Sequence, residues 1–174
     1  IYTCIEDSFG PIQPQVKGHW APAPQGPSWN TEEFQRLKQK ILQKQNPDEI
    51  RRLLEQGLKR AKEPGERSLN LYLYGLFLAR GNQDGKAKAA LEEAAGLDGA
   101  LAPAYLLLGQ LYYRQSGYTR AAKYLTRCRE LGFKTGYCNK TLLKINYLCK
   151  DYVAVNNLLE EYQPLRYSQK LGKA

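Results

Sequence analysis

The chain has 174 residues and carries 26 lysines and arginines against 17 aspartates and glutamates, a formal net charge of +9. This length is sufficient for one domain with its own hydrophobic core, and no apolar run approaches the roughly 20 residues that a membrane-spanning helix needs. Four cysteines without a CxxC spacing exclude a fold built mainly from disulfides.

Residues 1–29 differ in composition from the rest of the chain. They contain five of the nine prolines, both tryptophans and the only histidine, and this density of proline excludes a helix. Apolar side chains such as Ile5, Phe9 and Trp20 argue against an inert linker, so we expect an irregular, extended arm that lies along the rest of the protein. Its opening residues, YTCIED at 2–7, resemble the first strand of small bacterial periplasmic domains. That resemblance implies an extracytoplasmic, periplasmic location, with the cytoplasm as the alternative.

A change of pattern at Asn30 predicts where the helical part begins. Asn30 with a glutamate three residues later is a capping box, and Asn46 before Pro47 is typical of a new helix with an N-cap and a first-turn proline. We expect this second helix to stop near Pro64. The two helices then form a degenerate pair over residues 31–63.

Two further amphipathic helices, joined by a short turn, are predicted between Ala102 and Phe133. Tyr105, Leu108 and Tyr112 recur there at helical spacing. The same pattern occurs roughly 34 residues earlier and, with more substitutions, by the same interval later. A fixed period of this length is typical of helical solenoids.

The residues at this spacing resemble the tetratricopeptide repeat (TPR). The central copy has Tyr105, Leu108, Gly109, Tyr112, Ala121, Leu125, Cys128 and Phe133 at the motif positions. The preceding copy has Leu71, Tyr74, Gly75, Leu78, Ala87, Leu91, Ala94 and Gly99. The following copy has Asn139, Leu142, Leu143, Asn146, Val155, Leu159 and Tyr162, and because it lacks the glycine we expect a wider approach of its two helices.

The resemblance implies an all-α fold, a right-handed solenoid of helix-turn-helix repeats with an irregular N-terminal arm. Its helical pairs are predicted at 31–63, 68–98, 102–132 and 136–164. The repeat domain then covers residues 30–165, and residues 166–174 form a basic C-terminal tail.

One pair of cysteines falls within reach in this arrangement. Cys128, on the second helix of one repeat, and Cys138, near the start of the next helix, could lie side by side, whereas about 11 helical residues place Cys149 about 16 Å from Cys138. Two alternatives stay open: a disulfide between Cys128 and Cys138, or thiols that are simply small buried side chains.

No pattern typical of catalysis or metal binding is present. A Cys–His nucleophile pair would need His19, which has no neighbouring cysteine, and a zinc site needs roughly four clustered ligands. The acidic pairs Glu92-Glu93 and Glu160-Glu161 are interpreted as solvated helix faces. We therefore predict a protein that is not an enzyme and has neither a cofactor nor a metal.

The resemblance also implies a groove that is lined by the first helix of each repeat. Carried over by motif position, its lining includes Tyr72, Leu76, Leu106, Gln110, Tyr113, Tyr137, Lys140, Lys144 and Tyr147. These side chains change from apolar to aromatic and basic along the chain, which suits a protein partner with apolar anchors and carboxylates. The alternative is that the tyrosines pack between hairpins or under the arm.

Two functional hypotheses follow. The first is an adaptor or scaffold that binds a partner peptide or helix in this groove, within an assembly of the bacterial envelope. The second is a basic helical-repeat protein that binds nucleic acid or another polyanion, because residues 101–133 and 134–174 each carry a net charge of +4. We place nucleic acid second because the arginines and lysines of the second helix have the spacing of any exposed helix face.

Overall fold

The computed structural model describes residues 32–43 and 46–171, and over these ranges the backbone forms eight α-helices and no β-strand. This confirms the all-α class. In the described part of the chain, none of these helices is both long and apolar enough to cross a membrane. The helices are α1 (Glu32–Leu42), α2 (Pro47–Arg60), α3 (Pro64–Arg80), α4 (Asp84–Leu97), α5 (Ala102–Arg114), α6 (Tyr118–Glu130), α7 (Thr135–Leu148) and α8 (Tyr152–Leu171).

The most extensive packing joins α3 to α4 and α5 to α6. Ala87 and Leu91 of α4 are completely buried, and so are Ala121 and Leu125, which occupy the corresponding positions of α6. Small residues at these positions let two helices approach closely, and the leucines fill the space between them. The two central hairpins therefore use the same residues for the same packing, and consecutive helices form one continuous hydrophobic core.

Three of the turns between helices share one backbone geometry. Asn82, Ser116 and Lys150 have positive φ angles of 58°, 60° and 60°. In each turn the next amide N–H donates to the carbonyl oxygen five residues before it, at 2.9, 2.9 and 2.8 Å, which is the bond that closes a helix C-terminus. The third of these turns keeps the geometry although its hairpin has fewer motif residues.

Helix α1 packs against α3 more than against α2. The ring of Phe34 stacks on that of Tyr72 with centroids 6.0 Å apart and an interplanar angle of 22°. Helix α2 contacts α3 at Gly57, where an added Cβ would lie 2.6 Å from Asn70 Oδ1. Helix α3 therefore lies against both helices of the first hairpin, and α1 and α2 pack less on each other than each packs on α3.

Several boundaries differ from the expectations. Pro64 begins α3 instead of ending α2, because proline lacks an N–H and its φ suits the first turn of a helix. Helix α8 continues to Leu171, so residues 166–171 of the predicted tail are helical. Helix α7 packs less extensively on α8 than the central helices pack on each other, and Leu143 occupies the position of the repeat glycine.

The predictions that concern the N-terminal part of the chain fall partly beyond this description. Residues 1–29, including the 2–7 segment behind the periplasmic expectation, lie outside the described residues, and so does Asn30 of the predicted capping box. Asn46 does precede α2, but with φ 36° it makes no side-chain cap. Its Nδ2 donates instead to Glu49 Oε2 at 3.2 Å.

Candidate protein-binding groove

The α3 part of the predicted groove is buried. Tyr72 is 4% exposed under Phe34, and Leu76 is buried beside it. Burial raises the pKa of Tyr72 to about 12, since a phenolate cannot be solvated there. These two residues belong to the hydrophobic core, because α1 covers the face of α3 that the motif positions assign to the groove.

The α5 positions are half-buried. Leu106, Gln110 and Tyr113 each keep part of their surface open, and the ring of Tyr113 packs against that of Tyr118 with centroids 5.9 Å apart. Leu106 and Tyr113 rest on the hydrophobic core. This helix offers a shallow, mostly apolar floor, with the Gln110 amide as its polar group.

The α7 positions are exposed. Tyr137 and Tyr147 are 44% and 65% exposed, and Lys140 and Lys144 lie one helical turn apart on the same helix. Among the residues that the structure describes, neither lysine has an ion-pair partner. The most accessible part of the predicted groove is therefore its aromatic and basic end, which we call the α7 face (Tyr137, Lys140, Lys144 and Tyr147).

Lys38 of α1 was not predicted to belong to this region. Burial, together with the nearby positive charge of Lys134, lowers the pKa of Lys38. Lys134 directly precedes α7, so Lys38 of α1 lies within electrostatic reach of the start of α7. The sequence carries no signal for this proximity, because the two lysines are far apart along the chain.

A second aromatic cluster joins α4, α5 and α6. The hydroxyls of Tyr112 and Tyr124 both donate to Glu92 Oε1, at 2.8 and 3.1 Å, and their rings stack with centroids 5.6 Å apart. Lys88 Nζ lies 4.7 Å and the Arg120 guanidinium carbon 5.6 Å from the Tyr112 ring centroid. Burial and the Glu92 carboxylate raise the pKa of Tyr124.

Both residues of the acidic pair on α4 are exposed, as expected for a solvated helix face, but they also contact neighbouring helices. Glu92 binds two tyrosine hydroxyls, and Glu93 forms an ion pair with Arg67 of α3 at 3.0 Å. The motif position of Tyr112 predicted that its ring packs between helices, but it did not predict the hydrogen bond from its hydroxyl to the Glu92 carboxylate. Glu92 is close to Tyr112 because α4 and α5 lie side by side, which the periodicity alone does not specify in atomic detail.

The predicted cysteine pair is brought together. Cys128 and Cys138 are both fully buried and carry no disulfide. Their thiols donate to the same acceptor, the carbonyl oxygen of Phe133, at 3.2 and 3.6 Å. Interaction with the Cys138 sulfur, together with burial, raises the pKa of Cys128, and interaction with the Cys128 sulfur lowers the pKa of Cys138.

Metal ligands and cavities are the remaining features that bear on chemistry. The described ranges contain no group of three or more His, Cys, Asp or Glu side chains that could hold a metal ion, and His19 lies outside them. A cavity of about 400 Å³ lies where α1, α2 and α3 meet, away from the α7 face. Its two arginines are already engaged: Arg51 lies over the Phe77 ring, and Arg80 donates to the Leu42 carbonyl oxygen at 2.8 Å.

Neither protein-family models nor curated proteins yield a match to this chain. What the structure defines is an all-α protein in which consecutive helices pack against one another. Any more specific class, and the function, must be argued from the residues and contacts described above.

Proposed function

We propose that this chain is a non-enzymatic adaptor, built as a right-handed solenoid of TPR-like helix pairs, that binds a segment of a partner protein on the α7 face. Support for the repeat architecture comes from the turns at Asn82, Ser116 and Lys150, which recur at one regular interval and share their φ angle and closing hydrogen bond. Further support comes from the close approach of Gly75 and Gly109 to their partner helices.

One observation carries the assignment of the binding surface. The α7 face combines two exposed tyrosines with two lysines that have no ion-pair partner in the described part of the chain. Exposed aromatic side chains are typical of the anchoring part of a protein interface. Unpaired lysines beside them favour a partner with carboxylates, because the ion pairs form only in the complex.

The partner chemistry follows from the spacing. Lys140 and Lys144 are four residues apart on one helix, so their side chains are neighbours on its surface. A partner segment with two acidic side chains at similar separation could contact both. Apolar or aromatic side chains of the same segment would pack on Tyr137 and Tyr147 and on Leu106 of α5.

The basic residues of α6 give less support to the polyanion hypothesis. Arg127 binds Glu130 and the Gly99 carbonyl oxygen at 3.2 Å each, Arg129 forms an ion pair with Glu161 at 3.2 Å, and Arg120 lies over the Tyr112 ring. A nucleic acid on this helix would have to break or share these contacts. We therefore keep nucleic acid binding as an outcome of the test.

Selection from a display library of random peptides tests the proposal and does not require that the partner be identified first. We expect enrichment of peptides that combine acidic with apolar or aromatic residues. Lys140→Glu/Lys144→Glu should weaken an enriched peptide at least about tenfold. The matched control is Lys59→Glu/Lys62→Glu, which makes the same charge change at two exposed lysines on and just after α2 and should leave the affinity unchanged.

Two results would contradict the proposal. Equal losses in the two double variants would mean that net charge, not the α7 face, determines binding. Failure to enrich any peptide, together with nucleic acid binding that falls by orders of magnitude between low and moderate salt, would favour the polyanion hypothesis.

A further inference from the structure

The two buried thiols occupy opposite sides of one turn. Cys128 lies in the last turn of α6 and Cys138 in the first turn of α7. Phe133, in the turn between them, accepts a hydrogen bond from each thiol at 3.2 and 3.6 Å. The two sulfur atoms therefore converge on a single oxygen atom.

The two thiols differ in their electrostatic surroundings. Cys138 is near the N-terminus of α7, where the helix dipole stabilises an anion, and Arg129 lies nearby. Interaction with the Cys128 sulfur and the charge of Arg129 lower the pKa of Cys138, and the pKa of Cys128 is raised. Cys138 is consequently the sulfur that ionises first and acts as the nucleophile.

We propose that Cys128 and Cys138 form a redox-reversible dithiol, which a small-molecule disulfide such as oxidised glutathione converts into a disulfide between α6 and α7. The Cys138 thiolate attacks one sulfur of the small disulfide, forms a mixed disulfide and releases one glutathione thiolate. The Cys128 sulfur, after losing its proton, attacks Cys138 Sγ and releases the second glutathione. Two protein thiols are oxidised, one small disulfide is reduced to two thiols, and the two protons pass to the released thiolates.

Burial sets the rate of this reaction. Both cysteines are fully buried, so the small disulfide reaches Cys138 only when the turn between α6 and α7 opens. Once the mixed disulfide has formed, Cys128 is the nearest thiol on the adjacent helix. The second step should therefore be fast, and little mixed disulfide should accumulate.

The disulfide would act on the α7 face. Cys138 directly follows Tyr137, and Lys140 comes two residues later on the same helix. A covalent link from α6 to the first turn of α7 would restrict movement of α7 relative to the rest of the hairpin array. This consequence for partner binding rests on the proposed function, whereas the disulfide chemistry does not.

The experiment uses the full chain with Cys4→Ala/Cys149→Ala, which keeps only the pair in question. The protein is equilibrated in mixtures of reduced and oxidised glutathione, then quenched with acid and alkylated. We expect intact mass spectrometry to show loss of two hydrogen atoms under oxidising mixtures, and full recovery on reduction. A protease that cuts after Glu130 separates the two cysteines and should yield one disulfide-linked peptide pair.

Removal of one sulfur supplies the control. With Cys138→Ala added, no linked peptide pair should form. The proposal is overturned if both cysteines of the parent variant remain alkylatable in every mixture, or if a mixed disulfide with glutathione is the end product. Because these outcomes are read from mass alone, they do not depend on any partner.

Hydrogen exchange tests the effect on α7. In the oxidised protein, amide hydrogens of α7 should exchange at least about tenfold more slowly than in the reduced protein, and those of α3 should not change. Equal exchange in both forms would overturn the coupling to the α7 face. If no peptide binds the α7 face but the disulfide forms and slows exchange, the proposed function fails and this inference stands.

Discussion

Gly109 of α5 and Leu125 of α6 are packed so closely that a Cβ on the glycine would lie 2.6 Å from Leu125 Cγ. Gly75 of α3 has the same relationship to Leu91 of α4, also at 2.6 Å. Real carbon atoms do not approach this closely without displacement, so each glycine sets the distance between the helices of its hairpin. The leucines concerned are fully buried and have little room to move.

We expect Gly109→Ala to lower the free energy of unfolding by about 1–3 kcal/mol, because overpacking outweighs the better helix propensity of alanine. Chemical denaturation of the wild type and the variant measures this change in the free energy of unfolding. The control is Gly96→Ala on α4, where an added Cβ meets nothing within 4 Å and stability should stay the same or rise. Equal effects of the two substitutions would refute the role of the contact.

Tyr72 should make the protein less stable at high pH. Its pKa is raised by burial from 10.0 to about 12 in the folded state. Below pH 10 the phenol is protonated in both states, so nothing is lost. Between pH 10 and about 12 the unfolded chain gives up the proton while the folded protein keeps it, and the free energy of unfolding falls by roughly 1 kcal/mol per pH unit.

Denaturant unfolding of wild type and Tyr72→Phe across this range provides the measurement. Other groups titrate equally in both proteins, so the difference between the two curves isolates Tyr72. The wild type should lose more stability than the variant above pH 10. Parallel curves would mean that the Tyr72 phenol is not buried under Phe34.

Glu92 should stabilise the packing of α4 against α5 and α6. Glu92→Ala removes the acceptor of two tyrosine hydroxyls, and we expect a loss of about 1–3 kcal/mol, as for hydrogen bonds to a charged group. A double-mutant cycle with Tyr112→Phe isolates the bond: the second substitution should cost less in the Glu92→Ala background. Additive effects would show that the two residues do not interact.

Asn139 is a site where stability can be gained. Its Oδ1 is buried and has no hydrogen-bond partner among the described residues, and its position corresponds to Leu71 and Tyr105 in the other repeats. Asn139→Leu should raise the free energy of unfolding by about 1 kcal/mol, because it removes an unsatisfied polar atom. Asn157→Leu, at an exposed position of α8, should change it little. A destabilised Asn139→Leu variant would indicate that the amide has a role in the fold.

The sequence alone determined the central helices and much of their packing. The spacing of Gly75, Leu91, Gly109 and Leu125 predicted the two hairpins and the glycines at which their helices approach closely, because packing within a helical hairpin depends on the local 3.6-residue period and a short turn. The proximity of Cys128 to Cys138 could be predicted for the same reason, since only a turn separates their helices. Whether they form a disulfide could not be predicted, because two free thiols at these positions fit the same sequence pattern.

Only the tertiary structure decided which face of the array is available. The motif positions assign Tyr72 and Tyr147 to one groove, yet α1 buries the former, and the latter stays 65% exposed. The proximity of Lys38 to Lys134 likewise could not be predicted from the motif positions. Periodicity reports which side of a helix is apolar, but it does not report which distant element covers that side. Coverage depends on the angles at which successive hairpins pack, and small changes in those angles accumulate along the chain.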